Sequence, residues 1–195
     1  MTLISALNHI HKTGLFGNRE NKNEENLLKI SENKNLLIIQ IVQYNNSSML
    51  IEDLNIDNLT LKNDTFSVIN NNDTRILWCG PKNWFLISTK KDLLKNILQV
   101  FKDADFAVTD LSHSRAIIEL EGKNAKEVLK KGCPFNFNIL EKNYCVNTIF
   151  NGITFTVDMI DDKPDKIRLF AFRSFGESLY HSITDASLES GYKAV

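Results

Sequence analysis

Cys133 is the residue whose type and neighbours come closest to those of a catalytic nucleophile. Two lysines precede it in the sequence KKGCP, and a reactive thiolate needs such an electropositive surrounding. The general base would be His113 or His181. Cysteine is, however, among the most often buried residue types, and here it lies between a helix-ending glycine and a proline. We therefore predict that Cys133 is a small hydrophobic residue packed in a corner of the fold.

The acidic residues give no convincing catalytic pair. Asp161 and Asp162 lie in a predicted turn, where aspartate is expected for its local hydrogen bonds. Glu119 and Glu121 alternate with apolar residues along a predicted strand, which indicates solvated side chains. Asp110 lies near a strand end beside a serine, so it could fix a turn or accept a ligand's amine. We favour the structural role.

Neither a metal site nor a phosphate-binding loop is predicted. His9 and His11 lie in a polar segment without a carboxylate at ligand spacing, and structural zinc takes four N or S ligands. The glycine-rich motifs GxGxxG and GxxxxGK[ST] do not occur, and the eight glycines are scattered. We therefore expect this chain to hold no flavin, nicotinamide or metal of its own.

Composition indicates which kinds of partner the chain could bind and in which compartment it works. A formal net charge of -1 over 195 residues gives no long-range attraction to nucleic acid or to an anionic membrane. The three cysteines are odd in number and form no CxxC, so they predict free thiols, as in a reducing cytoplasm. The beginning of the sequence lacks the pattern of a signal peptide. We expect a cytoplasmic protein that binds neither nucleic acid nor membrane.

The apolar pattern predicts an α+β fold that begins near residue 36. Residues 1–35 are polar and predict an arm that is either mobile or ordered by a partner, and residues 36–195 predict a single domain. Strands are predicted at 36–43, 75–78, 84–88, 105–111, 115–121, 145–150, 153–159 and 166–172. Helices are predicted at 89–101, 124–131 and 174–191, with a weaker one near 47–54. Short turns between strands favour an antiparallel-rich sheet with helices packed on one face.

Three segments resemble those of a known family. WCGPKNWFLI at 78–87 resembles the family's LGPDEWLL hairpin. VTDLSHSRA at 108–116, continuing to KGCPF at 131–135, resembles VDVSHGRAVLRLSGPDARDVLAKGCPLDL. FRSFGESLYH at 172–181 resembles PRSFADYLWHWL. Together, over about residues 77–186, these segments resemble the gamma subunit of heterotetrameric sarcosine oxidase.

The resemblance implies a fold related to the folate-binding domain of the glycine-cleavage T protein and its aminomethyltransferase relatives. It also implies a non-catalytic structural subunit that packs chiefly on the alpha subunit, with beta and delta subunits completing a heterotetramer. In that family the other subunits hold FAD, FMN, NAD, tetrahydrofolate and zinc. The complex demethylates sarcosine oxidatively to glycine and passes the methyl carbon to tetrahydrofolate.

Two alternatives stay open on the sequence. The chain resembles equally the small subunit of N-methylglutamate dehydrogenase, a sister complex. A small stand-alone folate-binding aminomethyltransferase-like protein is suggested by the same fold kinship and by Asp110. The length of this chain, 195 residues, argues against the second alternative, because the related enzymes are longer and resemble a three-domain ring.

The resemblance also singles out individual positions. Those expected to maintain the fold are Gly80, Pro81, Trp84, Asp110, Ser112, Gly122, Gly132, Cys133, Pro134 and Ser174. Residue type suggests Arg115, Phe135, Arg173 and Phe175 as candidates for the subunit interface, because arginine and large aromatic residues dominate interface energies. The alternatives are ordinary core positions for the two phenylalanines and a local salt bridge or turn contact for the two arginines. Ser114 replaces the glycine of the family's SHGR motif, and it would be strained if that position required a positive φ.

Overall fold

The computed structural model of the protein describes residues 4–20 and 23–195, and it confirms the predicted α+β class. The strands in this part of the chain are β1 (Gly14–Phe16), β2 (Leu28–Glu32), β3 (Leu37–Gln43), β4 (Asn55–Ile56), β5 (Leu59–Thr60), β6 (Val68–Asn70), β7 (Thr74–Gly80), β8 (Asn83–Ser88), β9 (Phe106–Asp110), β10 (Arg115–Glu121), β11 (Cys145–Phe150), β12 (Ile153–Asp162), β13 (Asp165–Phe172) and β14 (Tyr192–Ala194). The α-helices are α1 (Leu93–Val100), α2 (Ala125–Lys130) and α3 (Gly176–Ser187), and short 3-10 turns occur at Glu24–Asn26, Ile51–Asp53, Phe137–Ile139 and Arg173–Phe175.

The chain divides into two compact units, whereas the sequence predicted one domain. Unit 1 comprises Met1–Lys34, Ser114–Lys142 and Asn147–Val195, and unit 2 comprises Asn35–His113 and Asn143–Val146. The strands are accordingly shared between a seven-stranded sheet, a five-stranded sheet and a two-stranded ribbon. Local patterns predict individual strands but do not tell which sheet a strand joins, and this explains the difference.

Unit 1 is built on the seven-stranded sheet, in the order β1-β14-β2-β10-β13-β12-β11. Strand β10 pairs antiparallel with both β2 and β13, while β14 and β2 run parallel. Helix α3 contacts β10 and β13, and α2 contacts β13. A Cβ atom on Gly176 would lie 2.6 Å from the Cβ of Ala116. Glycine at this position therefore lets the first turn of α3 approach β10 closely.

The amino-terminal segment is part of unit 1, and this corrects the prediction of a polar arm. Its strands β1 and β2 pair with β14 and β10. The leucines Leu7, Leu27 and Leu28 are buried. His11 also lies 2.8 Å from the hydroxyl of Tyr180 through Nδ1. Four apolar residues of this segment (Leu7, Leu27, Leu28 and Ile30) enter the core, which its overall polarity does not reveal.

Unit 2 is built on a five-stranded antiparallel sheet in the order β6-β7-β8-β3-β9. Its core includes Ile97 of α1 together with Phe101 and Phe106, whose rings meet edge to face at 4.9 Å between centroids. The predicted β7–β8 hairpin is confirmed, with a register shift between Trp78 and Gly80. The weakly predicted helix near residues 47–54 is only the 3-10 turn at Ile51–Asp53.

One face of the unit 1 sheet carries a largely buried charged pair. Arg168 on β13 lies directly opposite Glu119 on β10, and its Nη2 and Nε atoms lie 2.7 and 2.8 Å from Glu119 Oε1. The two side chains are only 12% and 13% exposed. Asp158, on β12, lies opposite Arg168 on the other side and is fully buried. The prediction that Glu119 is solvated was therefore wrong.

The neighbouring pair on the same strands is far more accessible. Glu121 accepts from Lys166 and Lys29, each with an N–O distance of 3.2 Å. These hydrogen bonds, from Lys166 first, hold the pKa of Glu121 below its ordinary value. The side chains of Lys166 and Glu121 are 37% and 34% exposed. Water competes with this ion pair. Removing one of its partners should therefore cost less stability than removing one partner of a buried ion pair.

We expect Arg168→Met to lower the free energy of unfolding by about 3 kcal/mol, because it leaves Glu119 as a buried charge without its cation. The matched variant Lys166→Met, on the same strand and face, should lower it by less than about 1 kcal/mol. Chemical denaturation of the two variants and the parent chain measures both values. Equal losses in the two variants would contradict the assignment of Arg168 to a buried ion pair.

Candidate subunit interface

Three of the four predicted interface residues lie at one end of the β10–β13 pair. Strand β13 ends at Phe172, and the chain passes through the 3-10 turn Arg173–Phe175 into α3. Arg115, the first residue of β10, lies opposite Phe172, with its guanidinium carbon 4.2 Å from the ring centroid. This is a cation–π contact. The backbone N–H of Arg173 donates to the carbonyl of Ser114 at 2.8 Å, which fixes the turn against β10.

Large apolar side chains are exposed at the same place. Phe172 and Phe175 are each 48% exposed, and Ile4 is 64% exposed. A side-chain N–H of Arg173 donates to the carbonyl of Ile4, so the amino-terminal segment reaches this turn. We call these five residues (Ile4, Arg115, Phe172, Arg173 and Phe175) the arginine–phenylalanine patch. Clustered exposed aromatic residues with arginines are typical of protein–protein contact sites.

The fourth predicted interface residue, Phe135, lies in a different part of unit 1. It is half-buried in the loop that follows α2, where its ring meets that of Phe137 edge to face at 5.3 Å. Sequence reasoning missed Phe172 and Ile4 as patch members. Phe172 shares a strand face with the buried Phe170, and only its position at the strand end exposes it. Nothing in the polar segment around Ile4 indicated that it would reach this turn.

Cys133 occupies the packed corner that the sequence predicted. Its side chain is buried, and desolvation raises the pKa of the thiol to about 12. Its N–H donates to the carbonyl of Leu129 at 3.0 Å. A Cβ on the preceding Gly132 would lie 2.6 Å from the ring of Phe150. A thiol with so high a pKa stays protonated near pH 7, so the geometry does not support a Cys133 nucleophile.

Asp110 holds a turn. Its Oδ1 atom accepts from the backbone N–H of Ser112 at 2.9 Å and from the Ser112 hydroxyl at 2.6 Å. The Ser112 oxygen in turn accepts from the N–H of Ile38 at 3.0 Å. These bonds link the end of β9 to β3 in unit 2. This is the structural role that the sequence favoured for Asp110.

The glycines and the tryptophan among the motif residues serve turns and packing. Gly80 and Gly122 have φ angles of +149° and +134°, which side-chain-bearing residues rarely adopt. The N–H of Gly122 also donates to the carbonyl of Asp165 at 2.8 Å. Trp84 is buried and donates from Nε1 to the carbonyl of Lys62 at 2.6 Å.

The remaining motif residues lie at the surface. Pro81, Pro134 and Ser174 are exposed, the last within the 3-10 turn of the patch. Ser114, which replaces the family's glycine, does not have a positive φ. The substitution therefore causes no left-handed strain at this turn.

Asp57 in unit 2 accepts several side-chain hydrogen bonds and has a structural role. Asp57 accepts from Lys90 Nζ at 2.7 Å, from the Thr74 hydroxyl at 2.6 Å and from the Asn71 amide. The hydrogen bond from Lys90, followed by that from Thr74, lowers the pKa of this carboxyl. All three partners belong to this chain. Through the Thr74 hydroxyl, the cluster links the turn between β4 and β5 to β7.

Within residues 4–20 and 23–195, no three His, Cys, Asp or Glu side chains are grouped so that they could hold a metal ion. None of the helices in that part of the chain has the length and apolar character of a membrane span.

The sequence matches the model of the sarcosine oxidase gamma subunit family over residues 57–189. It is 29% identical over 119 residues to sarcosine oxidase subunit gamma of Corynebacterium sp. (strain U-96), covering 60% of this chain and 57% of that protein. It is 36% identical over 62 residues to the subunit of the same name from Corynebacterium sp. (strain P-1), covering 31% and 30%. The alignment therefore spans little more than half of the first relative's length.

Solved structures extend the likeness to nearly the whole chain. A chain of the heterotetrameric sarcosine oxidase from Corynebacterium sp. U-96, in complex with pyrrole 2-carboxylate, superposes with a TM-score of 0.79 at 20% identity, covering 94% of each chain. The glycine cleavage system aminomethyltransferase T from Bartonella henselae superposes with a TM-score of 0.66 at 12% identity, covering 100% of this chain and 60% of that one. The predicted kinship with the T protein fold is thereby confirmed.

We expect alkylation of the native chain near pH 8 to leave Cys133 and Cys145 unmodified. Both are buried, and the thiol of Cys133 has its pKa near 12, so thiolate is scarce at that pH. Cys79 is partly exposed and should react first. Peptide mass spectrometry after iodoacetamide treatment measures each site, with urea-unfolded chain as the control in which all three react. Native labelling of Cys133 as fast as in urea would contradict its buried position.

Proposed function

Because the chain belongs to the sarcosine oxidase gamma subunit family, we propose that it is a non-catalytic structural subunit of a heterotetrameric sarcosine oxidase. The complex would demethylate sarcosine oxidatively to glycine and transfer the one-carbon unit to tetrahydrofolate. The observation that carries this proposal is the likeness over 94% of both chains to a chain of heterotetrameric sarcosine oxidase. The family match over residues 57–189 supports it independently through sequence.

In this proposal the chain contributes shape and contact surface, and the chemistry belongs to its companions. The alpha subunit is the principal partner, with beta and delta subunits completing the heterotetramer. FAD, FMN, NAD and tetrahydrofolate are held by other subunits, and the assembly works in the cytoplasm. The burial of Cys133 and the engagement of Asp110 within its turn support this division of labour, since neither group is poised for catalysis.

We expect the chain to co-purify as a stable complex with the large flavoprotein subunits of a sarcosine oxidase from the same organism when they are expressed together. Each subunit is tagged in turn, and size-exclusion chromatography with mass determination gives the stoichiometry. The flavoprotein subunits expressed without this chain are the control. Recovery of this chain alone, with all the flavin in a complex that lacks it, would contradict the proposal.

The substrate that the assembled complex oxidises distinguishes a sarcosine oxidase from an N-methylglutamate dehydrogenase. Oxidation of sarcosine by the purified assembly supports the proposed function. Oxidation of N-methylglutamate in preference to sarcosine would instead assign the chain to an N-methylglutamate dehydrogenase. The same preparation answers both questions, because the subunit role is common to the two complexes.

A stand-alone folate-binding protein is a second candidate, favoured by the superposition on aminomethyltransferase T. We expect the isolated chain not to bind tetrahydrofolate, because it corresponds to only 60% of that protein and because its Asp110 carboxylate already accepts two hydrogen bonds. Calorimetric titration measures binding. Tight binding that Asp110→Ala abolishes, and that the control Asp161→Ala leaves intact, would favour the second candidate.

A further inference from the structure

We propose that the arginine–phenylalanine patch binds a protein surface that presents a carboxylate beside an apolar pocket, with Phe175 entering the pocket and Arg173 meeting the carboxylate. This inference rests on the proposed role as a subunit and adds the contact face and the chemistry of the partner. It assigns the face to unit 1, at the turn between β13 and α3.

The apolar part of the patch explains why a partner would bind here. Phe172 and Phe175 leave about half of each side chain in water, and Ile4 leaves nearly two-thirds. Transferring aromatic surface from water into a pocket is favourable in proportion to its area. Three such side chains around one turn provide the apolar centre that protein–protein contacts usually have.

The backbone turn of the patch and its Arg115–Phe172 contact are in place before any partner arrives. The guanidinium of Arg115 lies over the Phe172 ring at 4.2 Å, and the backbone of Arg173 is bonded to Ser114. Gly176 places the first turn of α3 against Ala116. Residues held in their binding geometry lose little conformational entropy on association, and this favours tight binding.

Charge identifies the partner's chemistry. Arg168, on the strand that leads into this turn, is neutralised by Glu119. Arg173 is exposed and donates to the neutral carbonyl of Ile4, and among the described residues it forms no ion pair. The nearest acidic residue along the chain, Glu177, lies 3.9 Å from His181. A guanidinium has five N–H donors in a planar fork that fits a carboxylate, so an acidic side chain on the partner complements this face.

The test measures assembly of the full chain with the co-expressed large flavoprotein subunits. Phe175→Ser and Arg173→Glu should each weaken association on the order of tenfold or more, as truncation of a central interface residue does. Arg173→Lys should lose less than Arg173→Glu because it keeps the charge. Matched controls are Leu98→Ser, an exposed leucine of α1, and Arg19→Glu, an exposed arginine of unit 1. Both controls should bind as the parent chain does.

Salt dependence separates the two parts of the contact. The affinity of the parent chain should fall as salt is raised, while that of Arg173→Glu should fall less or rise. The affinity of Phe175→Ser should keep the parent's dependence on salt, because its charges are unchanged. Circular dichroism and thermal unfolding check that every variant is folded, which the exposure of the substituted side chains leads us to expect.

The outcomes distinguish this inference from the function on which it rests. A complex that forms with the parent chain and equally well with Phe175→Ser and Arg173→Glu overturns the contact face and leaves the subunit role intact. Failure of the parent chain to bind the flavoprotein subunits overturns both. Self-association of the isolated chain, or binding to phosphatidylglycerol vesicles, that these two substitutions abolish would assign the patch to a second copy or to lipid and overturn the inference.

Discussion

The antiparallel pairing of β10 with β13 is the constraint on which the rest of unit 1 depends. It sets seven consecutive residues of one strand opposite seven of the other, from Arg115 and Phe172 to Glu121 and Lys166. Because side chains alternate between the faces of a sheet, this register fixes three features at once. One face packs against α3, the other carries the Arg168–Glu119 ion pair, and the end of the ladder presents the arginine–phenylalanine patch. A slip of one residue would exchange the two faces and destroy all three.

The buried ion pair specifies that register. A buried charge without its partner is strongly unfavourable, whereas mismatched apolar pairs are tolerated. Arg168 lies between Glu119 on β10 and Asp158 on β12, so it fixes the alignment of three neighbouring strands. Replacing such an ion pair by apolar residues of similar volume is often neutral or stabilising. The charged side chains are therefore better explained by selectivity among possible alignments than by net stability.

Much of the fold is readable from local pattern. The bounds of β10 and β11 agree with the prediction, and the Asn151–Gly152 turn joins β11 to β12 with positive φ at both residues, as such turns require. Strands β1, β4, β5, β6 and β14 were missed because two or three residues are too few to show an alternating pattern. Strand β2 was missed because the segment around it is polar. The burial of Glu119 was missed for a related reason, since alternation shows that two faces differ but not which face is covered.

The residues of the arginine–phenylalanine patch could likewise be predicted only in part from the sequence. Arg115, Arg173 and Phe175 follow from residue type and family resemblance, and the structure brings them to one turn. Phe172 belongs there because it ends β13, two residues beyond the buried Phe170 on the same strand face, and sequence alternation treats the two alike. Ile4 joins because the amino-terminal segment packs back onto unit 1, where Leu7 is fully buried. The arginine–phenylalanine patch is thus assembled from three separate segments of the chain. Contacts between these segments hold it together although its side chains are exposed to water. Rigidity of this kind suits a subunit whose contribution is a fixed shape, because a face that needs no ordering keeps more of its contact energy for binding.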